Sequence, residues 1–243
     1  LSLFASGACL MDAESGRILY GKEEQTPRPM ASTTKIMTCL LALEQSSPSE
    51  EVSFSSRAVS MPKVHLGASK GSSFTMNDLL HSLMLESHND TAVAIAEHVS
   101  GSADKFVKLM NKKAAEIGCT NTHFATPNGL DAGYNHYTTA SDLAKIARYA
   151  LRNQTFRNLI RTGSYSFSSL NTGRRFYVNT TNALLGNVPG VQGMKTGFTN
   201  KAKYCFIGLS QSSKGHTYIS VVLGGPTSAA RWQDSRTLLN YAY

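Results

Sequence analysis

Pro29-Met30-Ala31-Ser32-Thr33-Thr34-Lys35, followed by Ile36-Met37-Thr38-Cys39-Leu40-Leu41-Ala42-Leu43, decides how the rest of the chain is read. Ile36, Leu40 and Leu43 fall at i, i+4 and i+7. Met37 and Leu41 widen that stripe until little polar surface is left, which is the pattern of a buried helix. Ser32 stands at its start and Lys35 one turn on, so a hydroxyl and an amine share one face at the helix mouth. Backbone N–H groups without helical partners gather there and favour negative charge. A serine beside a lysine and such donors suits acyl transfer. Alone, the signal is weak, because Ser-x-x-Lys recurs at Ser60–Lys63 and Ser102–Lys105. Pro62 disfavours a helical turn through the second copy, and Ser102 reads as an N-cap in the third. Only the first copy opens a buried helix.

The 243 residues are 41% hydrophobic and 16% charged, enough for one large domain with a proper core. No run reaches the roughly 18 apolar residues that span a membrane. The chain starts at Leu1 without a charged leader, which reads as a processed or trimmed product. Cys9, Cys39, Cys119 and Cys205 lie far apart, and three of them sit in apolar runs, so buried free thiols are expected. No metal-ligand spacing appears among the seven histidines, and neither a metal nor a cofactor is expected. The net charge of +8 is uneven. From Lys145 onward there are 13 Lys and Arg against one acid, Asp234. That field fits a basic surface, an anionic polymer or a carboxylate substrate. No nucleic-acid motif accompanies it.

Leu3 to Met11 and Arg17 to Tyr20 read as two strands joined by the turn Asp12-Ala13-Glu14-Ser15-Gly16. Ser46-Ser47-Pro48-Ser49 ends the buried helix. A helical section follows. Thr75-x-x-Asp78 caps a helix to Glu86. Ser87-His88-Asn89 breaks the chain, which restarts at Asp90 and runs to Gly101. An amphipathic helix spans Ser102 to Ile117. A long loop over 121–137 leads to Thr139-x-x-Asp142 and a last helix to Leu151. Beyond Thr155, Tyr165–Leu170 with Arg174–Asn179, and Lys203–Ser210 with His216–Gly224, form two hairpins, and Ser228–Tyr243 a closing helix. The expected architecture is α/β of the α+β type. An antiparallel sheet from 1–52 and 155–243 is covered by the Ser32 helix and the C-terminal helix, with a helical lobe over 53–154 and a cleft between lobe and sheet.

Two further short signals matter. Ser87-x-Asn89 sits at the helical break, where both side chains can point into the cleft. Lys195-Thr196-Gly197 offers a cation, a hydroxyl and a position that backbone or substrate can approach closely. Ser-x-x-Lys, Ser-x-Asn and Lys-Thr-Gly stand in the order used by penicillin-recognising serine acyltransferases. Ser32-Thr33-Thr34-Lys35-Ile36-Met37-Thr38, Ser87-His88-Asn89-Asp90, Asn128-Gly129-Leu130 and Gly193-Met194-Lys195-Thr196-Gly197-Phe198-Thr199 resemble segments of the D-alanyl-D-alanine carboxypeptidases, the low-molecular-mass penicillin-binding proteins. The resemblance covers nearly the whole chain and implies a β-lactamase/transpeptidase-like fold.

It also implies a bacterial envelope enzyme that removes the terminal D-alanine from peptidoglycan stem peptides and is acylated by β-lactams. Ser32 would attack the D-Ala–D-Ala carbonyl, and Lys35 would take its proton, kept neutral by burial and by Lys195. By resemblance, the N–H groups of Ser32 and Phe198 would hold the oxyanion. Ser87 and Lys195 would relay the proton to the leaving amine, and Asn89 would hold the substrate amide. Thr196 and Arg231 would take the terminal carboxylate, with Gly197 beside them. Lys35 or the Ser87–Lys195 pair would activate the deacylating water. Three features depart from the pattern: Ala202-Lys203 where the family often has Ala-Gly, His88 in a variable slot, read as a solvated or core histidine, and an end at Tyr243, so membrane attachment is not visible. Rival readings are a D,D-endopeptidase on the same residues, a class A β-lactamase, and a non-catalytic peptidoglycan-binding module. The β-lactamase would need a deacylating glutamate, for which only Glu97 and Glu116 are available between Ser87 and Lys195.

Overall fold

The computed structural model of the chain describes residues 1–131, 133 and 135–243. Of the loop expected over 121–137, Ala132 and Tyr134 therefore lie outside the described residues. The elements run β1 (Gly7–Asp12), β2 (Ile18–Lys22), a 3-10 turn (Ala31–Thr34), α1 (Lys35–Gln45), β3 (Glu51–Ser53), α2 (Ser56–Val59), β4 (Ser73–Thr75) and α3 (Met76–His81). A π-helical turn (Ser82–Glu86), α4 (Asn89–Ser100), α5 (Ala103–Ile117), α6 (Ala140–Ala150) and α7 (Gln154–Ile160) follow. The chain closes with β5 (Ser164–Ser168), β6 (Arg175–Asn179), β7 (Val191–Thr199), β8 (Lys203–Gln211), β9 (Thr217–Gly225) and α8 (Ser228–Ala242).

Five strands pair antiparallel in the order β2-β1-β9-β8-β7, so the chain's two ends share one sheet. Strand β1 is buried on both faces, which is why its sequence is a continuous apolar run rather than an alternating one. Ala8 and Leu10 pack with Val222 against Leu238 of α8, while Cys9 and Met11 join the main core on the other side. The two clusters are the two faces of one pleat. Helix α6, from the segment read as the helical insert, lies across β1 and β9. The 3-10 turn packs on β7 and β8, and α1 lies behind it between α4, α6 and α7. Lys35 to Ala42 are all buried, as the stripe predicted. Each fully buried Leu or Ile there contributes about 2 kcal/mol.

Local chemistry sets the ends of these helices. Thr75, Ser102 and Thr139 are N-caps whose hydroxyls accept from the N–H groups of Asp78, Lys105 and Asp142. Gly101 and Gly118 close α4 and α5 in left-handed conformations. At the far end, the Asp234 carboxylate of α8 accepts from the N–H groups of Phe4 (3.0 Å) and Ala5 (2.7 Å).

The structure differs from the sequence reading at one place that matters for the site. Lys195-Thr196-Gly197, which the sequence reading places in no strand, lies inside strand β7, an edge of the sheet paired with β8. Strands β3 and β4 and helices α2 and α7 are also additional. Among the described residues no helix is long and apolar enough to cross a membrane.

Candidate active site

Three elements converge at the edge of β7. The first is the 3-10 turn that presents Ser32 ahead of α1. Ala31 has φ 52°, a conformation that sets the sharp entry into this turn. Lys35, the first residue of α1, is fully buried. Its Nζ donates to Ser32 Oγ (2.8 Å), Asn89 Oδ1 (2.9 Å) and the Asn128 carbonyl (2.8 Å). Three acceptors match the three protons of an ammonium, and any two fit a neutral amine whose lone pair faces Ser32. Burial holds Lys35 well below the usual lysine range, the charge of Lys195 lowers it further, and Asp90 opposes them.

The second element is the π-helical turn, which ends at Ser87 in a left-handed conformation (φ 67°). A turn of that kind re-aims the chain where a helix would have continued. Ser87 Oγ is buried and has no hydrogen-bond partner among the described residues. His88 is a buried core residue. Its Nδ1 pairs with Ser82 Oγ (2.7 Å) and its Nε2 with Glu86 Oε2 (3.0 Å), which fixes the turn on both sides of Ser87. Asn89 opens α4, and its Nδ2 donates to the Pro62 carbonyl (3.1 Å) while its Oδ1 takes Lys35. Both ends of its amide are thus engaged in fixing Lys35.

The third element is β7. Lys195 is 1% exposed and donates to the Thr196 carbonyl (2.9 Å). Burial and then the nearby Arg231 bring its amine down to about 7. Thr196 shares a hydrogen bond with Thr181 (2.6 Å). Gly197 is required by contact, because a Cβ there would lie 2.8 Å from Ser32 N and 3.0 Å from Thr33 N. The strand therefore rests directly on the backbone that carries Ser32. Phe198 is 46% exposed and packs on Tyr204, with ring centroids 4.4 Å apart. Arg231 of α8 is buried behind the strand, over the rings of Trp232 (4.4 Å) and Tyr204 (5.2 Å), and donates weakly to the Gly197 carbonyl (3.5 Å).

Ser32, Ser87, Asn89, Thr196, Gly197, Phe198 and Arg231 all line one cavity of about 390 Å³. Lys35 and Lys195 lie beneath it. All nine residues singled out from the sequence therefore meet. Three contributors were not foreseen. The Asn128 carbonyl holds Lys35. Thr181 backs Thr196. His136 is buried and joins Thr34 Oγ1 (2.8 Å) to the Ala125 N–H (2.9 Å), so it pins the Asn128 loop to the start of α1. Burial lowers His136 to about 4, so the ring is neutral. The turn Pro127-Asn128-Gly129 carried the only signal. Gly129 has φ 90°, and a Cβ there would lie 2.0 Å from the Ala31 carbonyl oxygen.

Lys203, the departure after the third motif, is exposed and outside the cavity lining. Its backbone has φ 61°, a conformation that glycine would take at no steric cost. Among the described residues no group of three or more His, Cys, Asp or Glu side chains could hold a metal.

Asp90 supports the site from below. Its carboxylate accepts from the N–H groups of Leu66 (2.7 Å), Gly67 (3.0 Å) and Thr91 (2.9 Å). Asp90→Ala leaves those donors unpaired inside the protein. It is expected to lower the unfolding free energy by about 3 kcal/mol, read as a drop in the urea midpoint at unchanged slope.

A serine hydroxyl bonded to a buried amine, a second buried amine and an unpartnered hydroxyl surround one cavity, the set of groups that serine acyl transfer uses. The sequence pattern of the family described as D-alanyl-D-alanine carboxypeptidase, the S11 peptidases, matches residues 2–227, and the chain belongs to that family. It is 37% identical over 246 residues to the D-alanyl-D-alanine carboxypeptidase DacF of Bacillus subtilis, covering 98% of this chain and 62% of that relative. It is 34% identical over 258 residues to a D-alanyl-D-alanine carboxypeptidase of a Streptomyces strain, covering 100% of this chain and 88% of the relative. The crystal structure of the Streptomyces DD-transpeptidase superposes with a TM-score of 0.93 at 32% identity, over 99% of this chain and 97% of that one. The fold is β-lactamase/transpeptidase-like.

Proposed function

We propose that the chain is a serine D,D-carboxypeptidase that removes the terminal D-alanine from peptidoglycan stem peptides, outside the cytoplasm, in the service of wall synthesis and cell shape. The observation that carries this reading is Lys35 Nζ, fully buried and 2.8 Å from Ser32 Oγ, with a second buried lysine nearby. Neutral Lys35 takes the Ser32 proton as Oγ attacks the penultimate D-alanine carbonyl carbon. General-base help of that kind is worth about 10²–10⁴ in rate. The N–H groups of Ser32 and Phe198 receive the oxyanion, each donor worth about 10²–10³. As the intermediate collapses, the C–N bond breaks and the leaving amine takes a proton through Ser87 and Lys195. Thr196 and Arg231 hold the terminal carboxylate. Water then attacks the ester and returns Ser32. A β-lactam ring opens on the same serine, and β-lactams are therefore covalent inhibitors.

The β-lactamase reading lacks its base. Glu97 accepts from Ser55 Oγ (2.6 Å), Glu116 lies beside Lys113, and neither lines the cavity.

Intact-mass spectrometry after exposure to benzylpenicillin is the test. One lasting adduct is expected, on the peptide that contains Ser32. No adduct, or one elsewhere, overturns the mechanism. Muropeptide analysis after digestion of whole peptidoglycan should then show shortened stems with cross-links intact; opened cross-links would make the chain an endopeptidase.

A further inference from the structure

The hairpin β5–β6 carries an outward face that the catalytic reading leaves unused. Its strands alternate strictly. Phe167, Phe176 and Val178 point inward, with Phe167 and Phe176 packed edge-on against Phe74. The cross-strand pairs Ser164–Asn179, Ser166–Tyr177 and Ser168–Arg175 point the other way. Tyr177 is 70% exposed, the most exposed of the large apolar side chains among the described residues. The Arg175 guanidinium lies 5.6 Å from its ring centre and donates to Ser166 Oγ (3.0 Å) and Ser168 Oγ (3.4 Å). The guanidinium thus holds a flat array of hydroxyls beside an open aromatic ring.

We propose that this face is a binding surface for the glycan strand of peptidoglycan. The proposal rests on the function given above and deepens it, because it concerns how the polymer, rather than the scissile peptide, is held. The C–H face of a pyranose ring is apolar and matches an exposed tyrosine ring, while its hydroxyl and acetamido groups exchange hydrogen bonds with serine, asparagine and arginine side chains.

Continuity with the cleft favours the polymer. Strand β6 runs on from Asn179, whose N–H is held by Glu86, to Thr181, and both Glu86 and Thr181 line the catalytic cavity. The four residue steps from Tyr177 to Thr181 span about 13 Å of extended chain. A stem peptide of four or five extended residues spans roughly 13–17 Å, a length comparable with the reach from the cavity wall at Thr181 to this face. Charge agrees as well. The stretch Ser164–Asn179 contains Arg174 and Arg175 and no acid, which suits a polymer that carries free carboxylates.

The test compares two substrates with one variant. Tyr177→Ala is expected to lower kcat/KM on polymeric peptidoglycan about three- to tenfold and to leave kcat/KM on a short diacylated D-Ala–D-Ala peptide unchanged. Tyr177→Phe keeps the ring and should behave as the parent on both. Isothermal titration with peptide-free glycan strands, released by amidase, reads the same contact without turnover. Binding by the parent and its loss in Tyr177→Ala is the result expected. An equal fall on both substrates, no change on the polymer, or equal glycan binding by parent and variant overturns the proposal. So does preference of the face for a single-stranded oligonucleotide, which can also stack on tyrosine beside arginine. If the parent cleaves neither substrate, the catalytic reading fails, and the titration alone decides the glycan surface.

Discussion

Ser32→Ala is expected to abolish acylation by benzylpenicillin and to lower turnover of a D-Ala–D-Ala peptide by about 10⁶, the scale seen when a serine nucleophile is removed from a cooperative catalytic unit. The fold should persist. The side chain is small, it lies in a 3-10 turn with no capping bond, and Lys35 keeps Asn89 and the Asn128 carbonyl as acceptors. A thermal midpoint close to the parent's, together with a spectrum free of adduct, is the expected pair of results. Acylation at the parent's rate in this variant would place the nucleophile elsewhere in the chain.

The next largest effect belongs to Lys35. Acylation needs its amine unprotonated. Because burial and Lys195 hold it far below the lysine range, its proton leaves at a pH where a surface lysine would still be charged. The acylation rate therefore climbs as pH rises through that lowered value, and falls away on the acid side. Lys195 titrates near 7 and is charged only below that point. Its loss of charge at higher pH weakens the proton relay to the leaving amine, which gives a descending limb. Lys35→Gln is expected to slow acylation about 10²–10⁴-fold and to remove the ascending limb while the descending one stays. Stopped-flow acylation by a chromogenic cephalosporin between acid and alkaline pH checks both limbs. An unaltered ascending limb in Lys35→Gln would move the base to another group.

The residues that carry these effects were legible because their chemistry forces letters into short fixed patterns. Ser32 and Lys35 must share a helical face, and Ser87 and Asn89 must flank a single turn. The caps at Thr75, Ser102 and Thr139 were legible for the same local reason. Strand β7 was not. It is buried yet holds two glycines, a lysine and two threonines, because it forms the cleft wall and lies against the Ser32 backbone at Gly197. Demands of the site displaced the alternating aliphatic and aromatic residues that would have announced a strand. Asn128 was hidden for a different reason: it acts through its backbone carbonyl, and any residue but proline offers the same atom in a sequence. His136 was hidden because its partners, Thr34 and Ala125, are distant or again backbone.

The clasp between Asp234 and the N–H groups of Phe4 and Ala5 joins positions 230 residues apart, and β1 finds one of its two neighbours only in β9. Contacts so remote along the polymer form late, after the intervening loop entropy has been met. The sheet on which the serine turn rests is thus closed only when β9 joins β1. The turn that presents Ser32 is therefore made early in the chain, and the sheet that supports it is complete only once β9 is in place.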